Sequence, residues 1–182
     1  MVYLVLGVLI WNFAHFFKRL APQRRAALGD RGKGLVALVL FASVALMVIG
    51  YRSADSVFLW ERTSWSTPVN NLLMIVAIYF VTPGPSKGAL FYKMRHPMLS
   101  GFVIWVVAHL LVNGDSASLV LFGGLGVWAL ITTRLINRAE PDWEPNPKGT
   151  IAKDITFVAI SILITGIIGS IHLLFGLTPF GG

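Results

Sequence analysis

Apolar residues collect along this chain into long runs separated by short polar connections, and the runs cover residues 2–17, 35–51, 69–81, 98–112, 118–136 and 155–175. A helix rises 1.5 Å per residue, so about 20 apolar residues carry it across the hydrocarbon core of a bilayer. The pattern predicts an all-α fold: a polytopic integral membrane helix bundle of about six transmembrane helices, forming a single domain over 1–182. The runs at 69–81 and 98–112 are short, so polar flanks are expected to lengthen them, or they stand nearly upright. The first run could pass for a signal peptide, but no basic residue precedes it and no small-x-small site follows it. It reads as a membrane helix.

Composition agrees with the pattern. Hydrophobic residues make up 55% of the chain and charged residues 13%, against roughly 25% charged in a soluble domain; the mean hydropathy is +0.73. The net charge of +7 would suit a nucleic-acid partner, but no basic face interleaved with aromatics lies on a soluble surface. The charges instead follow the runs. All of the 15 basic residues except Arg52 and Arg62 fall in the first, third and fifth connections or at their edges. The positive-inside rule then places those three connections in the cytoplasm and both termini on the outer, periplasmic side. Cysteine is absent, so thiolate ligands, disulfides and cysteine nucleophiles are excluded.

The connections carry few signals of their own. Phe58, Leu59, Trp60 and Trp65 in the outer connection 52–68 are aromatic and apolar residues of the kind that lie at headgroup level; a gate for a lipid-like substrate is the sharper alternative. Glu140, Asp142, Trp143 and Glu144 in 138–154 read as a solvated loop of mixed charge. In 113–116, Gly114 is expected to end one helix and Asp115 or Ser116 to cap the next. Gly166 and Ser170 are spaced for a close helix contact within the bundle. No internal repeat is evident.

Polar side chains in lipid are costly and therefore functional suspects, and the chain has four histidines. His96 lies beside Pro97, a residue suited to the first turn of a helix, which puts His96 at the cytoplasmic interface. His109 is 13 residues further on, about 20 Å along the helix. His15 falls near the cytoplasmic end of the first run and His172 near the outer end of the last. The four form two level pairs, His15 with His96 and His109 with His172. Neutral imidazole is a common metal ligand, and two histidines from facing helices can hold a haem iron from both sides. Asn12, three residues before His15, shares its helical face, and Arg95 provides a fixed charge able to hold a propionate, phosphate or carboxylate.

Arg95-His96-Pro97-Met98-Leu99, with Gly101, Trp105, Ala108-His109-Leu110, Asn113-Gly114-Asp115 and Leu121-Phe122-Gly123-Gly124, resembles the NnrU family over nearly the whole chain. That family comprises polytopic membrane proteins associated with nitric oxide metabolism in denitrifying bacteria, and its domain is shared by the plant 15-cis-zeta-carotene isomerase, a haem b enzyme. The resemblance implies a bacterial inner-membrane protein holding haem b, with His15 and His96 as axial ligands. It also implies that the haem binds or senses nitric oxide, or that the protein aids assembly of a respiratory enzyme. In the isomerase version, ferrous haem loses an imidazole and the freed iron lowers the barrier to rotation in a hydrophobic polyene. Trp11, Trp105 and Trp128 could line a cavity for it, although at helical spacing they read more simply as packing residues.

Two rivals remain open at this point. Arg-His-Pro followed by Gly101 also resembles the Arg-His-Pro-x-Tyr-x-Gly element of membrane methyltransferases that use S-adenosylmethionine. Here Leu99 stands at the tyrosine position and the paired glutamates of those enzymes are missing after Ile155. The other rival is an accessory membrane protein with no cofactor.

Overall fold

The structure is a computed structural model that describes residues 1–180. Among these residues every regular element is helical, apart from one isolated bridge between Phe58 and Asp115. The order is α1 (Val2–Leu20), α2 (Pro22–Ala27), α3 (Arg31–Arg52), α4 (Ser66–Val81), α5 (Gly84–Lys87) and α6 (Pro97–Val112). A continuous run follows, made of α7 (Ser116–Ser118), a π-helical stretch (Leu119–Gly123) and α8 (Gly124–Ala139), and then α9 (Ile151–Leu174). Three helices are long and apolar enough to cross a membrane: Arg31–Arg52, Ser116–Ala139 and Ile151–Leu174. Large apolar side chains such as Leu38 and Phe41 on α3 and Leu163 and Leu174 on α9 lie exposed, which suits a lipid surround.

The helix ends follow local chemistry. Pro97 opens α6, where its missing N–H costs nothing. Gly29, at φ 51°, turns the chain between α2 and α3, and α3 begins at Arg31 rather than at the first apolar residue because nothing in Arg31-Gly32-Lys33 breaks a helix. The run at 69–81 gains Ser66, Thr67 and Pro68 as its first turn, a place where proline is tolerated. Asp115 caps the run that starts at Ser116, its carboxylate accepting from the Ser118 N–H at 2.9 Å. Gly114 corrects the expected turn. It is not among the residues with positive φ; it lies instead against the Trp60 carbonyl, where a Cβ would overlap the backbone.

The chain forms two compact units, each made from two stretches of sequence. The first holds Met1–Trp60 and Gly114–Ala139. Within it α1 and α3 are antiparallel and closely apposed. A Cβ on Gly7 would lie 2.8 Å from the Ser43 carbonyl oxygen, and one on Gly50 would overlap the Leu4 backbone. Such small residues let membrane helices approach. Helix α8 lies along α1 in the same direction, Gly124 against Val8 and Trp128 against Trp11 and His15. The connection after α3 is stitched to the start of α7: Leu59 N–H donates to Gly114 O at 2.8 Å, Ser116 N–H to Val57 O at 2.9 Å and Ser56 Oγ to Asp115 Oδ1 at 2.7 Å.

The second unit holds Glu61–Asn113 and the residues from Glu140 onward. Helix α6 lies on α4, with Gly101 against the Ala77 carbonyl, and α9 lies on α4 and α5. A buried carboxylate fastens this arrangement. Asp154, in the first turn of α9 and 2% exposed, accepts from Tyr79 Oη at 2.5 Å and from the Ala89 and Leu90 N–H groups at 2.6 and 3.3 Å. Gly88 fits against this carboxylate without room for a Cβ. Gly166, expected to make a close helix contact, meets no neighbour within 4 Å, and the Ser170 hydroxyl donates to its own helix at Gly166 O.

Candidate functional site

His15 stands four residues after Trp11 on α1, so the two side chains share a face. Their ring centroids are 4.3 Å apart, and the Trp128 indole of α8 lies 4.7 Å from the imidazole on an edge. His15 Nδ1 is 2.9 Å from the Trp11 carbonyl oxygen. A carbonyl only accepts, so Nδ1 carries the proton and Nε2 keeps its lone pair, the tautomer of a histidine oriented to ligate a metal. Asn12 does not extend this polar face: its amide N–H donates to the Val8 carbonyl of its own helix at 2.8 Å.

Trp11 Nε1 and Thr132 Oγ1 of the first unit are buried polar atoms without hydrogen-bond partners. Thr132 lies one turn beyond Trp128 on α8. Since α1 and α8 run the same way, with Val8 at Gly124 and Trp11 at Trp128, that turn is level with His15. Other helical hydroxyls behave differently. Thr133, Thr156, Ser161 and Thr165 each donate to the carbonyl four residues back, the ordinary way a membrane helix satisfies a hydroxyl.

In the second unit His96 is the residue before α6, its carbonyl accepting from Ser100 N–H at 3.0 Å. The neighbouring Arg95, expected to hold an anionic group, donates to the Glu140 carbonyl and has its guanidinium 5.9 Å from the Trp143 ring centroid. His109 lies in the last turn of α6, with Nδ1 3.0 Å from the Trp105 carbonyl and the rings 4.6 Å apart. His172 on α9 presents Nδ1 to the Ile168 carbonyl at 2.8 Å and is near enough to His109 for a charge on one to act on the other. His109 and His172 of the expected outer pair both belong to the second unit, while His15 belongs to the first unit and His96 to the second.

The geometry around His15 and His109 exposes a repeat that the sequence reading missed. Gly7-x-x-Ile10-Trp11-x-x-Ala14-His15 in α1 matches Gly101-x-x-Ile104-Trp105-x-x-Ala108-His109 in α6 at every named position. In both copies the glycine seats the helix on a neighbour, and the tryptophan carbonyl and ring hold the imidazole one turn later. Identical spacing was the available signal, hidden among interchangeable valines and leucines.

Among the described residues no group of three or more His, Asp or Glu side chains gathers to hold a metal ion. A haem iron draws four bonds from its porphyrin and asks the protein for one or two axial ligands, so an oriented imidazole in apolar surroundings fits haem better than it fits a bare ion. The unpartnered Trp11 Nε1 beside His15 and Thr132 Oγ1 one turn beyond Trp128 fit a ligand that brings its own oxygen atoms. No curated protein and no solved structure matches the chain. One family model, described as NnrU protein, matches residues 3–179. Nearly the entire sequence is covered, and the chain belongs to the NnrU family.

Proposed function

We propose that this protein is a six-span, haem-binding protein of the bacterial inner membrane, with His15 as an axial ligand and a role in nitric oxide metabolism. One observation carries the haem reading: the His15 imidazole is held by a backbone carbonyl and two indoles so that Nε2 is left as a ligand. Haem would supply the chemistry of a redox-active iron able to bind a diatomic gas, and the chain's part is to fix one imidazole and exclude water from it. The second ligand expected from the sequence is His96, which lies at the same cytoplasmic level as His15 in the proposed topology. The topology follows the charges, with α1, α3, α4, α6, α8 and α9 as spans, both termini outside and the three basic connections in the cytoplasm.

The absorption spectrum of detergent-purified protein tests this. Haem-loaded protein is expected to show a Soret band that shifts on dithionite reduction and is lost in His15→Ala. Loss in His96→Ala identifies the second imidazole, and His172→Ala keeps the band; retention in His15→Ala with loss in His109→Ala moves the site to the outer pair and overturns the assignment to His15. A folded protein that stays colourless after haem reconstitution overturns the proposal.

A further inference from the structure

A buried donor or acceptor without a partner costs about 1–3 kcal/mol, and membrane helices ordinarily avoid that cost by bonding to themselves. Trp11 Nε1 and Thr132 Oγ1 do not avoid it. They come from different helices, α1 and α8, and the register of those helices brings their turns to the level of the same imidazole. Trp11 is one turn before His15 with its ring in contact, and Thr132 is one turn beyond the Trp128 that touches both. Indole N–H can only donate, and a threonine hydroxyl can donate as well. Two such donors, one beside the oriented imidazole and one level with it on α8, make a setting for an anionic oxygen rather than for a second metal ligand. Arg95, the cation the sequence nominates for such a group, is engaged by Glu140 and Trp143.

We infer that Trp11 Nε1 and Thr132 Oγ1 hold a carboxylate of the cofactor bound at His15. This rests on the haem reading and adds to it the residues that recognise the propionate. Each hydrogen bond to the charged oxygen is worth roughly tenfold in affinity. The hydroxyl also gives the variants an unusual signature. Replacing a buried unpartnered hydroxyl by a methyl of the same shape removes a cost from the ligand-free protein, so Thr132→Val raises the thermal midpoint without cofactor while it weakens cofactor binding.

The experiment titrates detergent-purified protein with haem and with haem dimethyl ester, whose carboxyls are blocked, and follows the Soret band. Wild type is expected to bind haem at least tenfold more tightly than the ester. Trp11→Phe and Thr132→Val are expected to lose most of that preference by binding haem more weakly, while Thr132→Ser keeps it. Far-ultraviolet circular dichroism and the thermal midpoint establish that each variant is folded. Equal affinity of wild type for the two forms, or full preference in both folded variants, overturns the inference and leaves the haem reading standing. Absence of a band with either form overturns both.

Discussion

Single residues fasten this protein where connections meet helices, and the two carboxylates that do so differ in reach. Asp154 ties α4 and the residues after α5 to the first turn of α9. Asp115 caps the run that starts at Ser116 and also takes the Ser56 hydroxyl from the connection after α3. Burial alone would raise the Asp115 carboxyl, but the Ser118 hydroxyl and N–H, the Ser56 hydroxyl and the Ala117 N–H together hold it below the usual carboxylate range. A carboxyl lowered by folding adds its full stability above the ordinary value and loses it as pH falls through the folded one. Asp115→Asn should therefore melt below wild type at neutral pH, with the gap closing as the buffer is made more acid. A gap that stays constant down to pH 3, read by thermal unfolding in detergent, would refute this. The sequence made Asp115 legible because capping is local. Asp154 was not, since its partners Tyr79, Ala89 and Leu90 are brought to it only by folding.

Helices show the same division between local and distant causes. The rough extent of the long helices could be read from apolar runs, and the errors lie at ends such as Arg31 and Ser66, where polar residues continue a helix that the lipid does not require. Pairing could not be read, because nearly every face of these helices is apolar. Glycine is the residue that betrays it. Gly7 and Gly101 hold equivalent places in the repeat, and a Cβ at either would lie within 2.8 Å of the backbone of the neighbouring helix. Gly7→Val and Gly101→Val are each expected to destabilise by about 2 kcal/mol, the scale of an overpacked core, whereas Gly166→Ala, with open space around it, should be neutral or slightly stabilising. Thermal midpoints for the three variants check this; a neutral Gly7→Val would mean that α1 and α3 are not held at the close distance described. The histidine sites divide likewise. The turn from Trp11 to His15 is local and readable, but Trp128 reaches it from α8.

For the whole molecule, charge placement was the most legible feature, since the basic residues collect in alternate connections. The proposed topology has a direct assay because the chain contains no cysteine. Asp55→Cys should react with a membrane-impermeant maleimide on intact cells and Lys33→Cys only after lysis; labelling of Lys33→Cys on intact cells would invert the topology. What the sequence hid at this scale is that each unit is assembled from separated stretches, 1–60 with 114–139 and 61–113 with the residues from 140 onward. That interleaving has a consequence for biosynthesis. A ribosome delivers α1 and α3 first and must complete α4 and α6 before α8 emerges, so the nascent first unit waits with Trp11 and His15 lacking Trp128 and Thr132. A cofactor held as proposed by those α8 side chains would be seated only after residues up to 139 have entered the bilayer, so that loading would follow insertion rather than guide it.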